Sequence, residues 1–66
     1  MQGEIKKLVA NRGFGFIRLS GGKDVFFHRS DMADGDFDLL FEGQTVAFDV
    51  EESRRGPRAR HVRPVS

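Results

Sequence analysis

Arg12-Gly13-Phe14-Gly15-Phe16-Ile17, with Val25-Phe26-Phe27-His28 further along the chain, decides the fold. In β-strands, side chains alternate between two faces. Phe14, Phe16 and Arg18 then share one face, and Gly15, Ile17 and Leu19 the other. Phe26 and His28 likewise share a face opposite Val25 and Phe27. The aliphatic side chains fall on one side, with Phe27 the only aromatic among them. Flat rings and a cation fall on the side that an ordinary half-buried strand gives to polar residues. Glycines beside them permit another group to approach closely. Unpaired nucleic-acid bases would stack on such a surface. With the faces reversed, Ile17, Leu19, Val25 and Phe27 would be left in water, a worse arrangement.

Outward from these two strands, residues 3–10 read as a first strand with Ile5 and Leu8 inward. Their three-residue spacing breaks alternation and predicts a bulge. Lys6 and Lys7 are the solvated positions of this strand. Residues 11–13 form the turn into a second strand over 13–19. Ser20-Gly21-Gly22-Lys23 is a hairpin signal, since paired glycines accept the positive φ such turns need. The third strand spans 24–28. Residues 29–43 have neither strand nor helix periodicity and read as a long loop, with one short helical turn over 30–33 capped by Ser30. A loop this long in a small domain is usually functional. Residues 44–50 alternate with Val46, Phe48 and Val50 inward and make a fourth strand. A charged turn over 51–57 leads to a fifth strand over 58–65, with Val62 inward and Pro64 suited to a strand end. Arg60 falls on the side of Val62 if that strand alternates regularly. Five short strands with one long connection predict an all-β fold, a five-stranded antiparallel barrel of the oligonucleotide-binding (OB-fold) type.

The 66 residues make one domain, 1–66, near the lower limit for independent folding. The chain has no cysteine, which excludes disulfides and thiolate metal sites and suits a reducing compartment. It has no apolar run long enough for a membrane span and no signal-peptide pattern. A soluble, cytoplasmic protein with no membrane partner is the expectation. The net charge of +1 conceals an uneven distribution. Residues 1–30 carry +4, residues 31–52 carry −8 with no Lys or Arg, and residues 53–66 carry +5. A basic side and an acidic side would orient a polyanion.

The two aromatic motifs resemble the ribonucleoprotein motifs of the bacterial cold-shock proteins and of the cold-shock domain in Y-box proteins. Arg12 takes the place of the usual Lys in the first motif. Gly3, Asp24, Phe37, Glu42-Gly43 and Arg55-Gly56-Pro57 also fall where that family has them, and the likeness spans essentially the whole chain. It implies a five-stranded barrel that binds single-stranded RNA or DNA with low sequence specificity, often as an RNA chaperone that resolves secondary structure in the cold. It also implies base stacking at Phe14, Phe16, Phe26, His28 and Phe37. The chain departs from the family at Lys7, Leu8 and Val9, where Trp, Phe and Asn are usual. It departs again at Arg29, commonly Phe, at Phe41, usually polar, and at Arg60, often smaller. Lys7 and Arg29 thus put cations where two rings are expected. Arg stacks through its planar guanidinium and both contact phosphate, while each lost stack removes about 1–3 kcal/mol.

The candidate nucleic-acid-binding residues are therefore Lys7, Arg12, Phe14, Phe16, Phe26, His28, Arg29, Phe37 and Arg55, with Arg18 a weaker candidate. Phe37 has a second reading as a lid on the core, and Phe41 as either a barrel-end cover or an exposed apolar spot. His28 and His61 alone make metal ligation a poor reading, so no metal or other cofactor is expected. No Ser/His/Asp or Cys/His constellation can be assembled, and neither an enzyme nor a small-molecule substrate is expected. Gly13-Phe14-Gly15 continues as a strand instead of opening a helix, so it is no phosphate loop. An RNA-recognition-motif fold needs two helices and carries its motifs in the opposite order. A closed barrel makes a monomer the default. Two rivals remain: a protein-interaction barrel that has lost nucleic-acid binding, favoured by Lys7, Arg29 and the acidic loop, and a duplex-DNA regulator, opposed by the flat, helix-free surface.

Overall fold

The computed structural model describes residues 1–65. Ser66, the last residue of the domain expected from the sequence, lies outside them. The strands are β1 (Gln2–Val9), β2 (Phe14–Arg18), β3 (Asp24–His28), β4 (Thr45–Ser53) and β5 (Gly56–Pro64). They close into a barrel in the order β1-β2-β3-β5-β4.

The pairings β1–β2, β2–β3, β1–β4 and β4–β5 are antiparallel, but β3 and β5 run parallel at Phe26↔Arg58. The five-stranded antiparallel barrel expected from the sequence forms, with one parallel seam as its single departure. The reason is parity: strands around a ring of five cannot alternate in direction at every junction. A parallel bridge from Met32 to Val62 and the Ala33 N–H to Val62 carbonyl bond of 2.9 Å continue the seam.

Alternation packs Ile5, Ile17, Val25, Phe27, Val46, Phe48, Ala59 and Val62 into one core, which Phe37 and Leu40 complete from the long loop. The bulge expected in β1 appears as a register shift between Ile5 and Lys7. It lets Leu8 pack against the core and leaves Lys6 and Lys7 in water. The expected hairpin turn also forms: the Leu19 N–H donates to the Lys23 carbonyl at 2.8 Å, and Gly22 takes φ 89°.

Three local expectations are corrected. Val50 is 38% exposed rather than inward. β4 and β5 have nine residues each against five in β2 and β3, so the β4–β5 hairpin outruns the strands that cover the core. The charged turn shrinks to Arg54-Arg55, because Ser53 Oγ donates to the Gly56 carbonyl at 2.6 Å and accepts from the Arg55 N–H at 3.3 Å, closing the hairpin locally. In β5, Ala59 and Val62 are both buried although three residues apart, since His61 adopts φ 56° opposite a register shift in β4. That bulge turns Arg60 away from the side of Val62.

The long loop is irregular apart from the 3-10 turns Arg29–Asp31 and Phe37–Leu39. The first is capped by the His28 side chain rather than by Ser30. The glycine of the first aromatic motif also serves a different neighbour from the one expected. A Cβ on Gly15 would lie 2.6 Å from the Lys7 carbonyl oxygen and 3.0 Å from the Phe27 ring, so the group that approaches closely is the protein's own backbone. Gly15→Ala should therefore lower stability by about 1–3 kcal/mol, the usual consequence of overpacking. A urea midpoint at the wild-type position would contradict this account.

Candidate nucleic-acid interface

β2 and β3 pair in register, with Phe14 opposite His28 and Phe16 opposite Phe26. The inward positions of both strands are filled by Ile17, Val25 and Phe27, which forces the intervening rings outward. Phe14, Phe16 and Phe26 stand half-buried in a triangle, with centroids 6.0 Å apart for Phe14–Phe16, 5.7 Å for Phe14–Phe26 and 5.9 Å for Phe16–Phe26. Edge-on and tilted contacts of this kind contribute about 0.5–1.5 kcal/mol each, which holds the rings in place while leaving their remaining surface open.

His28 extends the strip and is held from behind. The Ser30 N–H donates to Nδ1 at 3.1 Å, and Ser30 Oγ lies 2.9 Å from the same nitrogen. A backbone N–H can only donate, so Nδ1 is the acceptor and the neutral ring carries its proton on Nε2. The His28 N–H donates to Asp31 Oδ2 at 2.9 Å, which fixes the backbone under the ring.

The cations divide into two groups. Lys7 and Arg55 meet Phe16 and Phe26 around a hollow of about 500 Å³ that Pro57 also lines. Lys6 borders it as well, but its Nζ is paired with Asp24 at 2.7 Å. Arg55 continues into a second hollow with Phe26, His28, Ser53, Arg54 and Arg58. The structure thus brings Lys7, Phe14, Phe16, Phe26, His28 and Arg55 onto one surface.

Arg12 is exposed on the 3-10 turn Ala10–Arg12 that leads into Phe14, and Arg18 is exposed at the far end of β2. Arg29 and Phe37 pair with each other rather than with the strip. The Arg29 guanidinium lies 5.6 Å from the Phe37 ring centroid, and its Nη2 is 3.7 Å from Asp38. Phe37 is 6% exposed, with its centroid 5.7 Å from that of the core ring Phe27. Of its two readings, this conformation has the lid. Phe41 is exposed, which resolves its own alternative.

Reading along the chain misses Arg58 and Asp31. Arg58 stands beside Phe26 across the parallel seam, with its guanidinium carbon 5.7 Å from the ring centroid. Asp31 is the only buried charged side chain among the described residues. It accepts from Arg58 Nε through Oδ2 at 2.9 Å and forms an ion pair with Arg60, whose Nε lies 2.9 Å from Oδ1. Outward alternation from Ala59 is the signal that could have placed Arg58, but nothing local to β5 reveals that β3 is its neighbour.

Among the described residues, no group of three or more His, Cys, Asp or Glu is arranged to hold a metal ion, and no helix is long and apolar enough to cross a membrane. What the surface offers is open aromatic faces, a fixed imidazole donor and unpaired cations at its border.

Comparison with known sequences agrees with this surface. The 'Cold-shock' DNA-binding domain matches residues 1–65. The chain is 51% identical over 61 residues to the major cold shock protein of Streptococcus pyogenes serotype M1, covering 92% of this chain and 91% of the relative. Against cold shock-like protein CspE of Bacillus anthracis the identity is 45% over 62 residues, covering 94% and 92%. Against a cold shock-like protein of Thermotoga maritima it is 42% over 65 residues, covering 98% of each.

Proposed function

Since this chain belongs to the cold-shock DNA-binding domain family, we propose that it binds single-stranded RNA or DNA with low sequence specificity and acts as an RNA chaperone, including in the response to cold. The observation that carries this reading is the outward triangle of Phe14, Phe16 and Phe26, continued by His28. Rings on the wet face of a sheet have little to do for the fold, whereas every base has a π-face to lay on them.

In this mechanism, bases leave their neighbours and stack along Phe14, Phe16, Phe26 and His28. Lys7 and Arg55 follow the phosphates, and Arg12 and Arg29 extend the positive border. A protein that binds the open strand and not the closed hairpin shifts the hairpin toward its open form by mass action, without ATP. The monomer suffices, because each barrel carries a complete strip. The compartment that fits is the cytoplasm, where transcripts are found and where the absence of cysteine is unremarkable.

The test is anisotropy of a labelled oligothymidine and a matched duplex, titrated with the protein at low and moderate salt. The label belongs on the nucleic acid because the chain has neither Trp nor Tyr. Single-strand binding that survives added salt is expected, since stacking is not screened while phosphate contacts are. Equal affinity for the duplex would mean that cations alone carry the binding. Absence of binding at both salts would turn the assignment to the protein-interaction barrel.

A further inference from the structure

Arg58 has one nitrogen committed and two free. Its Nε is held on Asp31 Oδ2, and among the described residues its terminal nitrogens make no hydrogen bond or ion pair. Neither is a buried orphan, since among the described residues every buried side-chain nitrogen and oxygen has a partner. The guanidinium lies beside Phe26 and borders the hollow that His28 shares. Asp31 is itself fixed: its side chain is 2% exposed, bound by Arg58 and Arg60 and by the His28 N–H. One buried carboxylate therefore sets the position of both the imidazole backbone and the guanidinium.

A guanidinium held through Nε presents its two terminal nitrogens as a fixed pair of donors. Their match is a pair of adjacent acceptors. In a single strand guanine offers two neighbouring acceptors, O6 and N7, on its open Hoogsteen edge, and cytosine offers O2 and N3 on its Watson–Crick edge, but the purine has the wider face to lay on Phe26. A phosphate offers two acceptors as well, but it does not stack, and Arg58 sits at the ring rather than at the border with Lys7. We propose that Arg58 reads guanine at the Phe26–His28 end of the strip and that Asp31 is the positioning residue that makes this possible. The proposal rests on the stacking function above and adds a one-base preference to an otherwise sequence-tolerant surface.

The experiment compares oligothymidine with the same strand carrying one guanine at each successive position, and with 7-deazaguanine at the best of them. A gain of about five- to tenfold is expected at one position, the lower part of the range for a bidentate Arg–guanine contact. It should vanish with 7-deazaguanine, which lacks the N7 acceptor. It should vanish also in Arg58→Lys, which keeps the charge and loses the fork, and in Asp31→Asn, which keeps the shape and loses the charge that holds the fork. Arg58→Lys lies on the surface, so the test stands even if Asp31→Asn fails to fold.

The readout is the guanine-to-thymine affinity ratio, which a merely structural role for Asp31 would leave unchanged. A ratio near one for the wild type, or a preference that persists in Arg58→Lys, would overturn the proposal. So would an Asp31→Asn protein that binds every strand more tightly with a steeper salt slope and an unchanged ratio, because the carboxylate would then only neutralise charge. Oligothymidine binding with no guanine gain removes this inference alone, whereas no oligothymidine binding at all removes the stacking function with it.

Discussion

Replacing Phe14 and Phe26 together by Ala should weaken oligothymidine binding by roughly thirtyfold to twenty-thousandfold while leaving a folded barrel. Each stacked base is worth about 1–3 kcal/mol to the ring beneath it, so two rings carry about 2–6 kcal/mol. The fold loses far less, because these rings touch one another rather than the core, and such contacts contribute about 0.5–1.5 kcal/mol each. Binding should be measured in the cold, where domain stability is close to its maximum, with circular dichroism confirming the barrel. A double variant that is folded and binds like the wild type would rule out stacking as the source of affinity.

The inward rings should behave in the opposite way. Phe27 is fully buried, and Phe→Ala in a core typically costs about 3–5 kcal/mol. A chain of this length has about 3–10 kcal/mol of stability in total. Phe27→Ala should therefore lie at or near the edge of folding and show collapsed amide dispersion by NMR. A native spectrum with a wild-type melting point would mean the core is not packed as described. The pair of results separates two phenylalanines that are neighbours in the chain and face opposite ways.

Phe37 is placed by the same logic. Its burial against Phe27, under Arg29, makes Phe37→Ala a loss of melting temperature first. A loss of affinity at unchanged melting temperature would instead mean that the ring leaves the core to meet a base.

Alternation with a period of two made most of this legible in advance. It separates Phe14, Phe16 and Phe26 from Ile17, Val25 and Phe27 with no knowledge of the partner strands, and both hairpin glycines and the β1 bulge leave local marks. What escaped was set by contacts between distant segments. Asp31 and Arg58 are 27 residues apart and meet only because β5 closes against β3. The bulge at His61 is invisible because His is not a residue that announces a positive φ, and one added residue reverses the facing of everything before it. Val50 alternates correctly but stands where the strand has outrun its cover. The reach of Arg29 to Phe37 likewise belongs to the loop's path, which no periodicity encodes.

The parallel seam gives the site a place in the order of assembly. β1, β2 and β3 can pair as successive hairpins, so the three rings meet early, through contacts that are short in sequence. The meeting of Phe26 with Arg58 joins positions 32 residues apart and waits for β5 to dock. A nascent or locally opened chain therefore shows the aromatic triangle before it shows the guanidinium. A nucleic acid lying across Phe26 and Arg58 would bridge the two sides of the seam, and occupancy of the strip would then slow the opening of the barrel at the junction that forms last.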